Sequence, residues 1–336
     1  MSGVTPLSRR RLLLQFGGAA GLALLAGCRP GAKPPKLLAA AETVPSRWRK
    51  ALPSPWQFLP LKSEDSLTLK GKAERESVDL IALTDGWLTS FPQDLLQPVQ
   101  AAPLQSQLDQ TAAQFLQLQG ATRAAQLLPV AVSPWVMVFR GGDRWRSTSV
   151  DRWEVLLDSA LTGQVVLPQS PRLVIELADR MNASDALERL RRQVLTYDDR
   201  QGINWLLKDK ARVLVTPLQR CMTLLRRDPR LSAVLPSSGA PLHWTLLVRP
   251  AATREPLPQA WVETAWSLPM LSRLVASGWR PPLGALDLPQ LRAGLPSRWR
   301  DLLLPPLDVW SRCWSLSPLT QQQRDSLSQR WRSSAP

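Results

Sequence analysis

A chain of 336 residues with 44% hydrophobic composition has room for one large domain or two of ordinary size, with ample material for a core. Its single histidine excludes a metal motif built on two histidines, and Cys28, Cys221 and Cys313 follow no metal-ligand spacing. The formal charge of +15 is spread along the chain and suits an anionic membrane face or a polyanion; no recognition motif accompanies it, so nucleic acid is not expected as a partner.

The chain opens on an address. Arg9, Arg10 and Arg11 lead into an apolar stretch too short for a stable membrane span and rich in small residues, the pattern of a bacterial export signal. Leu25 to Cys28 resembles the lipobox of bacterial lipoproteins, which implies cleavage before Cys28, lipid on its thiol and a membrane-tethered product. Ser8 to Leu13 is similar to the twin-arginine signature, which implies export in the folded state. An uncleaved short anchor would give nearly the same location. Residues 1–27 are thus expected to be a signal peptide, and 28–36 a lipidated cysteine with a proline-rich, charged spacer.

The fold is expected to begin after that spacer. Leu37 to Ala41 reads as a buried strand, Pro45 to Leu52 as a helix opened by proline, and Trp56 to Leu61 as a second strand. Val78 to Leu83 is a clear strand that stops at the turn-forming Thr84, Asp85 and Gly86. A glutamine-rich helical stretch covers Leu104 to Leu128. Val130 to Phe139 reads as two short strands interrupted by Pro134, a passage from one lobe to another. Trp153 to Asp158 is helical, Gly163 to Leu167 a strand, and Pro168 to Pro171 a loop that feeds a helix from Arg172 to Met181. A long amphipathic helix is expected over Ser184 to Leu195. Arg212 to Val215, Leu231 to Leu235 and Leu242 to Val248 complete the strands. Beyond Pro250 the pattern is helical with proline-rich joints, and the basic tail after Gln321 is a solvated helix or disordered. Strands alternating with helices imply a mostly parallel sheet.

Fifteen tryptophans stand beside one tyrosine and five phenylalanines. Core packing accounts for most, while some could line a cleft for a flat or cationic ligand, since the ring face attracts positive charge. With Cys28 lipidated, Cys221 and Cys313 remain either to pair or to sit apart as buried thiols. No Gly-x-Ser-x-Gly elbow or phosphate-cradling glycine loop appears in the mature chain, and Gly71 and Lys72 lack the upstream glycine of a P-loop. An enzyme is therefore not expected, although a pair of distant carboxylates stays open as hydrolytic chemistry. A structural envelope lipoprotein without a small ligand is the other alternative.

In element order, and in the phrases Val78 to Ile81, Trp153 to Pro171 and Leu235 to Pro250, the chain from Leu37 to Gly278 resembles the periplasmic solute-binding proteins of ABC importers. Within them it is similar to the spermidine/putrescine-binding branch. The resemblance implies an α/β, two-lobed periplasmic-binding-protein fold of type II, with a mixed, mostly parallel sheet in each lobe and a hinge between. It divides the chain into lobe 1 (37–130 plus 250–336) and lobe 2 (131–249). It also implies a monomer without a cofactor, tethered at the periplasmic side through Cys28, that captures spermidine, putrescine or another solute and delivers it to permease subunits.

Carried over residue by residue, the family's binding loops fall on Glu42 and Thr43; on Thr84, Asp85 and Trp87; and on Trp135. In the second lobe they fall on Gln169, Ser170 and Arg172, on Thr216, and on His243, Trp244 and Thr245, with Trp266 on the return. Carboxylates would meet ammonium ends and indoles would sandwich a methylene chain, because a buried ammonium needs an anion. Where the family's second lobe offers acids this chain has Gln169, Ser170 and Leu173, and Thr245 stands in place of an aspartate. Arg172 and His243 add donors or positive charge. These departures make room for a neutral or anionic solute. Each position also has an ordinary reading: Asp85 as a turn residue, Glu42 as a charge at a helix start, His243 as a structural histidine.

Overall fold

The computed structural model describes residues 33–40, 42–61, 70–71, 73, 76–141, 152–198 and 201–335. The expected export leader, Cys28, most of the expected spacer and Ala41 lie outside the described residues. Ten strands form the frame: β1 (Lys36–Ala40), β2 (Gln57–Leu61), β3 (Leu80–Thr84), β4 (Leu96–Gln97), β5 (Leu128–Arg140), β6 (Val165–Leu167), β7 (Val194–Tyr197), β8 (Val213–Pro217), β9 (Leu231–Val234) and β10 (Leu242–Pro250).

The strand order β2-β1-β3-β10-β5-β8-β6-β7 contains two halves. In the first, β1 runs parallel to β2 and β3, while β10 is antiparallel to both β3 and β5. In the second, β6 runs parallel to β7 and β8, while β5 is antiparallel to β8 and β9. The fold is α/β, but its sheet is evenly mixed rather than mostly parallel. The reason is topological: β5 leaves the first half for the second and β10 comes back, so both must oppose the βαβ-connected strands beside them.

Strand β5 belongs to both halves, and here the expectation of two strands broken at Pro134 is corrected. Leu128 to Pro134 pair with β10, and Trp135 to Arg140 pair with β8 and β9. Pro134, which has no N–H to give, stands where the partner changes; Trp135 then donates to the Pro241 carbonyl at 2.9 Å. The expected division places most of Leu242–Pro250 in lobe 2, yet the partners of this strand are β3, β4 and the first part of β5. The passages between halves are at Pro134 and Trp135 and along residues 235–241.

Two-residue alternation explains the four cores. In the first half Leu37, Ala39, Leu80 and Ala82 face one layer, and Leu38, Ile81 and Leu83 the other. In the second, Met137, Phe139, Val213 and Val215 face one layer, and Val136, Val138 and Leu214 the other. The proline-jointed C-terminal part covers both: Leu257 to Trp266, Leu274, Trp279 and Trp310 pack on the first half, whereas Leu271, Val275, Leu291 to Leu304 and Trp331 pack on the second. The tail is a helix, Gln321–Ser333, closed at its start by a capping box of Thr320 and Gln323.

Two expected helices are shorter than their patterns. Ser184 to Leu195 resolves into a helix from Ala186 to Gln193 followed directly by β7, and Leu104 to Leu128 into three short helices. Cys221 and Cys313 are separate thiols, not a disulfide.

At the second passage Gly239 has φ +87°, and a Cβ there would come 2.2 Å from the Arg312 carbonyl oxygen. Its own carbonyl accepts the Trp153 indole N–H at 2.9 Å. Gly239→Ala is expected to lower the melting temperature by about 5 °C or more, since it combines a left-handed backbone with a backbone clash. Thermal unfolding followed by circular dichroism checks this; an unchanged midpoint would mean that the passage has slack.

Candidate functional site

The carboxyl ends of β1, β7 and β8 come together, the position where an open α/β sheet holds ligands. A cavity of about 240 Å³ opens there. Glu42, just after β1, lines it from the first half. From the second half come Thr216 at the end of β8, Gln219 and Arg220 in the first turn of the helix Leu218–Arg227, and Asp198 after β7. Ile203 and Leu214 supply apolar wall, and Gly202 lets the chain approach closely, since a Cβ there would come 2.6 Å from Leu214 Cδ1.

Each polar group has a local anchor. The Gln219 N–H donates to Ser133 Oγ at 3.0 Å, tying the helix to β5 beside its change of partner. The Asp198 carboxylate accepts from the Gln201 N–H at 2.7 Å and from Trp205 Nε1 at 3.0 Å. Arg220 Nε lies 3.9 Å from Glu42 Oε2, at the outer limit of an ion pair; the Glu42 side chain is 75% exposed and that of Arg220 17%. The pair joins one half to the other. Gln219 Oε1 is enclosed and has no hydrogen-bond donor among the described residues.

Behind the cavity lies a second polar group. Asp85 Oδ1 accepts the Trp244 backbone N–H at 3.1 Å and lies 3.7 Å from His243 Nδ1. Burial pushes the Asp85 carboxyl up to about 7, against its backbone hydrogen bonds and the nearby charge of Arg172. Burial, helped by the positive Arg220, pushes His243 down to about 3, so its imidazole is neutral at physiological pH. His243 Nε2 and Thr245 Oγ1 are enclosed without a hydrogen-bond partner among the described residues. The Trp135 ring meets His243 edge-on at 5.9 Å.

Of the residues expected at a binding site, Glu42 and Thr216 line the cavity, and Asp85, Trp135 and His243 form the group behind it. Thr84 and Thr245 are cross-strand partners between β3 and β10, both buried. Thr43 is buried, with its N–H on the Ala40 carbonyl. Trp87 is half-buried and packs against the first-half core. Gln169 is exposed beyond β6, and Ser170 caps the next helix by accepting the Leu173 N–H. Arg172 donates to the Ser317 carbonyl while its charge reaches Asp85.

Trp244 and Trp266 are corrections. Trp244 is fully buried, stacked on Phe115 at 4.7 Å, with its indole N–H on Ser315 Oγ. Trp266 is in the other first-half core, with its N–H on the Val130 carbonyl. Neither is among the residues that line the cavity. The idea of indoles facing a cationic ligand is corrected in the same way. Among the described residues no aromatic side chain lines the cavity, and the protein's own guanidinium groups occupy ring faces: Arg180 on Trp314, Arg191 on Trp331 and Arg280 on Trp310, each about 4 Å from the ring centre. The residues that sequence reasoning missed are Asp198, Gln219 and Arg220. Gln219 and Arg220 follow Thr216 and Pro217 at once, so extending the strand-end argument by one helical turn would have reached them.

No protein-family model matches the chain, and no curated protein matches it in sequence. Solved structures do match in fold. The spermidine/putrescine ABC transporter substrate-binding protein PotD from Streptococcus pneumoniae has a TM-score of 0.68 at 12% identity, over 91% of this chain and 100% of that one. A periplasmic thiamin binding protein has 0.60 at 14%, over 90% and 96%. The binding protein AgtB from A. tumefaciens R10, solved with agropinic acid, has 0.60 at 14%, over 90% and 99%. The chain thus has the two-lobed fold of periplasmic binding proteins.

Proposed function

We propose that this protein captures a small solute between its two halves and delivers it to the permease of an ABC importer, outside the cytoplasm of a bacterium. The observation that carries the proposal is the cavity lined jointly by Glu42 of the first half and by Thr216, Gln219 and Arg220 of the second, at the strand ends where this fold takes ligands. Lining from both halves is what makes binding and hinge closure one event, and the closed form is what a permease can read. The leader from Arg9 to Cys28 supports export and a lipid tether on Cys28. Among the described residues no helix is long and apolar enough to cross a membrane.

A polyamine is the second reading, favoured by the carboxylates of Glu42 and Asp198 in the lining. Against it stand the absence of aromatic side chains among the described residues of that lining and the presence of Arg220, whose charge opposes a second ammonium.

The test is a thermal-shift screen of the purified protein against amino acids, polyamines, organic acids and phosphorylated metabolites. A solute at about a hundredfold over its dissociation constant adds about 2.7 kcal/mol, which moves the midpoint by several degrees. One responding class is the expected result, and no response from any class would sink the receptor reading in favour of a structural lipoprotein.

A further inference from the structure

We propose that Arg280 and Trp310 form a site for one small monovalent anion of the halide class, at the seam where β5, the helix Leu307–Ser311 and the start of the helix Gln110–Leu118 meet. Neither residue lines the solute cavity.

Burial of an unpaired charge argues first. Arg249 and Arg280 are the buried arginines among the described residues, 4% and 7% exposed. Arg249 gives its N–H groups to the carbonyls of Pro98 and Glu255. Arg280 has no such acceptor: its Nε is enclosed without a partner, and its guanidinium makes no hydrogen bond or ion pair with any described residue. What it has is the Trp310 ring, centred 4.1 Å from its Cζ. A ring lying against the guanidinium plane attracts the charge but leaves unmet the five N–H donors, which point outward within that plane. Arg191 shows the complete arrangement, since it lies over Trp331 and also donates to the Trp331 carbonyl and to Ser334 Oγ. A guanidinium does not shed its proton and an unpaired buried charge is costly, so an anion is the partner that Arg280 calls for.

The surroundings narrow the class. The Arg280 backbone exchanges hydrogen bonds with Val132 at 3.1 and 2.8 Å, and the Asp109 N–H donates to the Pro282 carbonyl at 2.8 Å, which brings the start of the helix Gln110–Leu118 alongside. The charge of Asp109 reaches Arg280 without pairing to it, and Asp109 Oδ1 is engaged by the Ala112 N–H at 2.9 Å. With that negative charge already near, a second charge on the bound ion would be repelled. Cys313 is also in electrostatic reach of Arg280, but burial pushes its thiol up to about 11, so it stays neutral and supplies no countercharge. Trp310 Nε1, enclosed without an acceptor, is a further donor on the stacked ring, and Val132 and Trp244 of the same core cluster make the rest of the wall apolar. So little of Arg280 is open to solvent that a one-atom ion fits and a metabolite does not.

The experiment follows thermal unfolding of the purified protein in sodium chloride, sodium bromide and sodium gluconate at one ionic strength and one pH, with Arg280→Met beside the native protein. The expected result for the native protein is a midpoint about 3 °C or more higher in chloride and bromide than in gluconate, with an effect that saturates as halide is titrated in. For Arg280→Met, which keeps an unbranched stem over Trp310 and loses the charged head, the difference should fall below about one degree.

A native midpoint indifferent to the anion, or a difference that Arg280→Met retains in full, would overturn the proposal. Should Arg280→Met not fold, crystals of the native protein grown in sodium bromide decide the matter by anomalous diffraction. A bromide peak beside the Arg280 guanidinium upholds the site; water there, or bromide on the outer surface only, overturns it.

Discussion

Replacing Trp48 by alanine is expected to cost about 4 kcal/mol and to lower the melting temperature by roughly 10 °C. Trp48 and Trp261 are stacked, with ring centres 4.0 Å apart and planes 11° from parallel, and Trp279 leans on Trp48 at 5.1 Å. The indole N–H of Trp48 donates to the Trp261 carbonyl at 2.8 Å, and that of Trp261 to the Trp48 carbonyl at 2.9 Å. This reciprocal clasp fastens the helix Ser46–Arg49, only four residues long and with no side-chain cap, to the helix Gln259–Trp266. So short a helix has little stability of its own, and packing must hold it. The alanine variant leaves a large apolar void and strips the Trp261 carbonyl of its donor. Trp48→Phe keeps most of the ring and loses only the N–H, so its cost should be near 1–2 kcal/mol. Urea unfolding of the two variants separates the contributions: equal costs would mean that the hydrogen bond, not the packing, dominates, and a cost below about 1 kcal/mol for alanine would refute the clasp altogether.

The second large effect concerns pH. In the folded protein Asp85 holds its proton up to about 7, against an ordinary value of 3.8, and His243 stays neutral down to about 3, against 6.5. A raised carboxyl favours folding at low pH, and that contribution is lost as pH climbs from about 4 to about 7. A depressed imidazole favours folding at high pH, and that contribution is lost as pH falls from about 6.5 to about 3. Over their common range, from about 4 to 6.5, the two slopes oppose each other, so this pair gives almost no net pH dependence. Asp85→Asn removes one arm. The amide oxygen can still accept the Trp244 N–H, so the variant should differ chiefly in charge.

The stability of Asp85→Asn minus that of the native protein should therefore rise between about pH 4 and pH 7 and level off above it. The gain at the plateau is a few kcal/mol, since each tenfold change in a carboxylate's proton affinity is worth about 1.4 kcal/mol. Chemical unfolding at one-unit intervals from pH 4 to 8 gives that difference directly. A flat difference profile would show that Asp85 is ionised in the folded state and that Arg172 outweighs its burial.

Much of the frame can be read from the sequence because its strands announce themselves. The apolar runs at Leu37, Val78, Val130, Arg212 and Leu242 each end at a proline, a glycine or a polar cluster, and each marks a strand. Strand β7 gives no such notice: Val194 follows the helix ending at Gln193 without glycine or proline, so helical periodicity runs straight through the boundary. The site was half legible. The resemblance pointed to the loops at Glu42 and Thr216, which line the cavity, but the approach of Glu42 to Arg220 joins two halves of the chain, and no local pattern encodes it. Arg220 reads locally as one more cation on a basic helix. Trp244 and Trp266 were misplaced although their periodicity was informative. Trp244, Leu246 and Val248 alternate onto one buried face, and Trp261, Val262, Ala265 and Trp266 form one helical stripe.

The C-terminal cover has a consequence for the moment at which this protein can fold. Strand β10 lies inside the first-half sheet, between β3 and β5, and one apolar layer of that sheet is closed by Leu257 to Trp279. The second half waits longer, for Leu291 to Leu304 and finally Trp331. Made from its N-terminus, the first half cannot seal that layer before Trp279 has emerged from the ribosome, nor the second half its own before Leu304. Each half thus keeps an apolar layer open after its own strands have been made, until the C-terminal cover arrives.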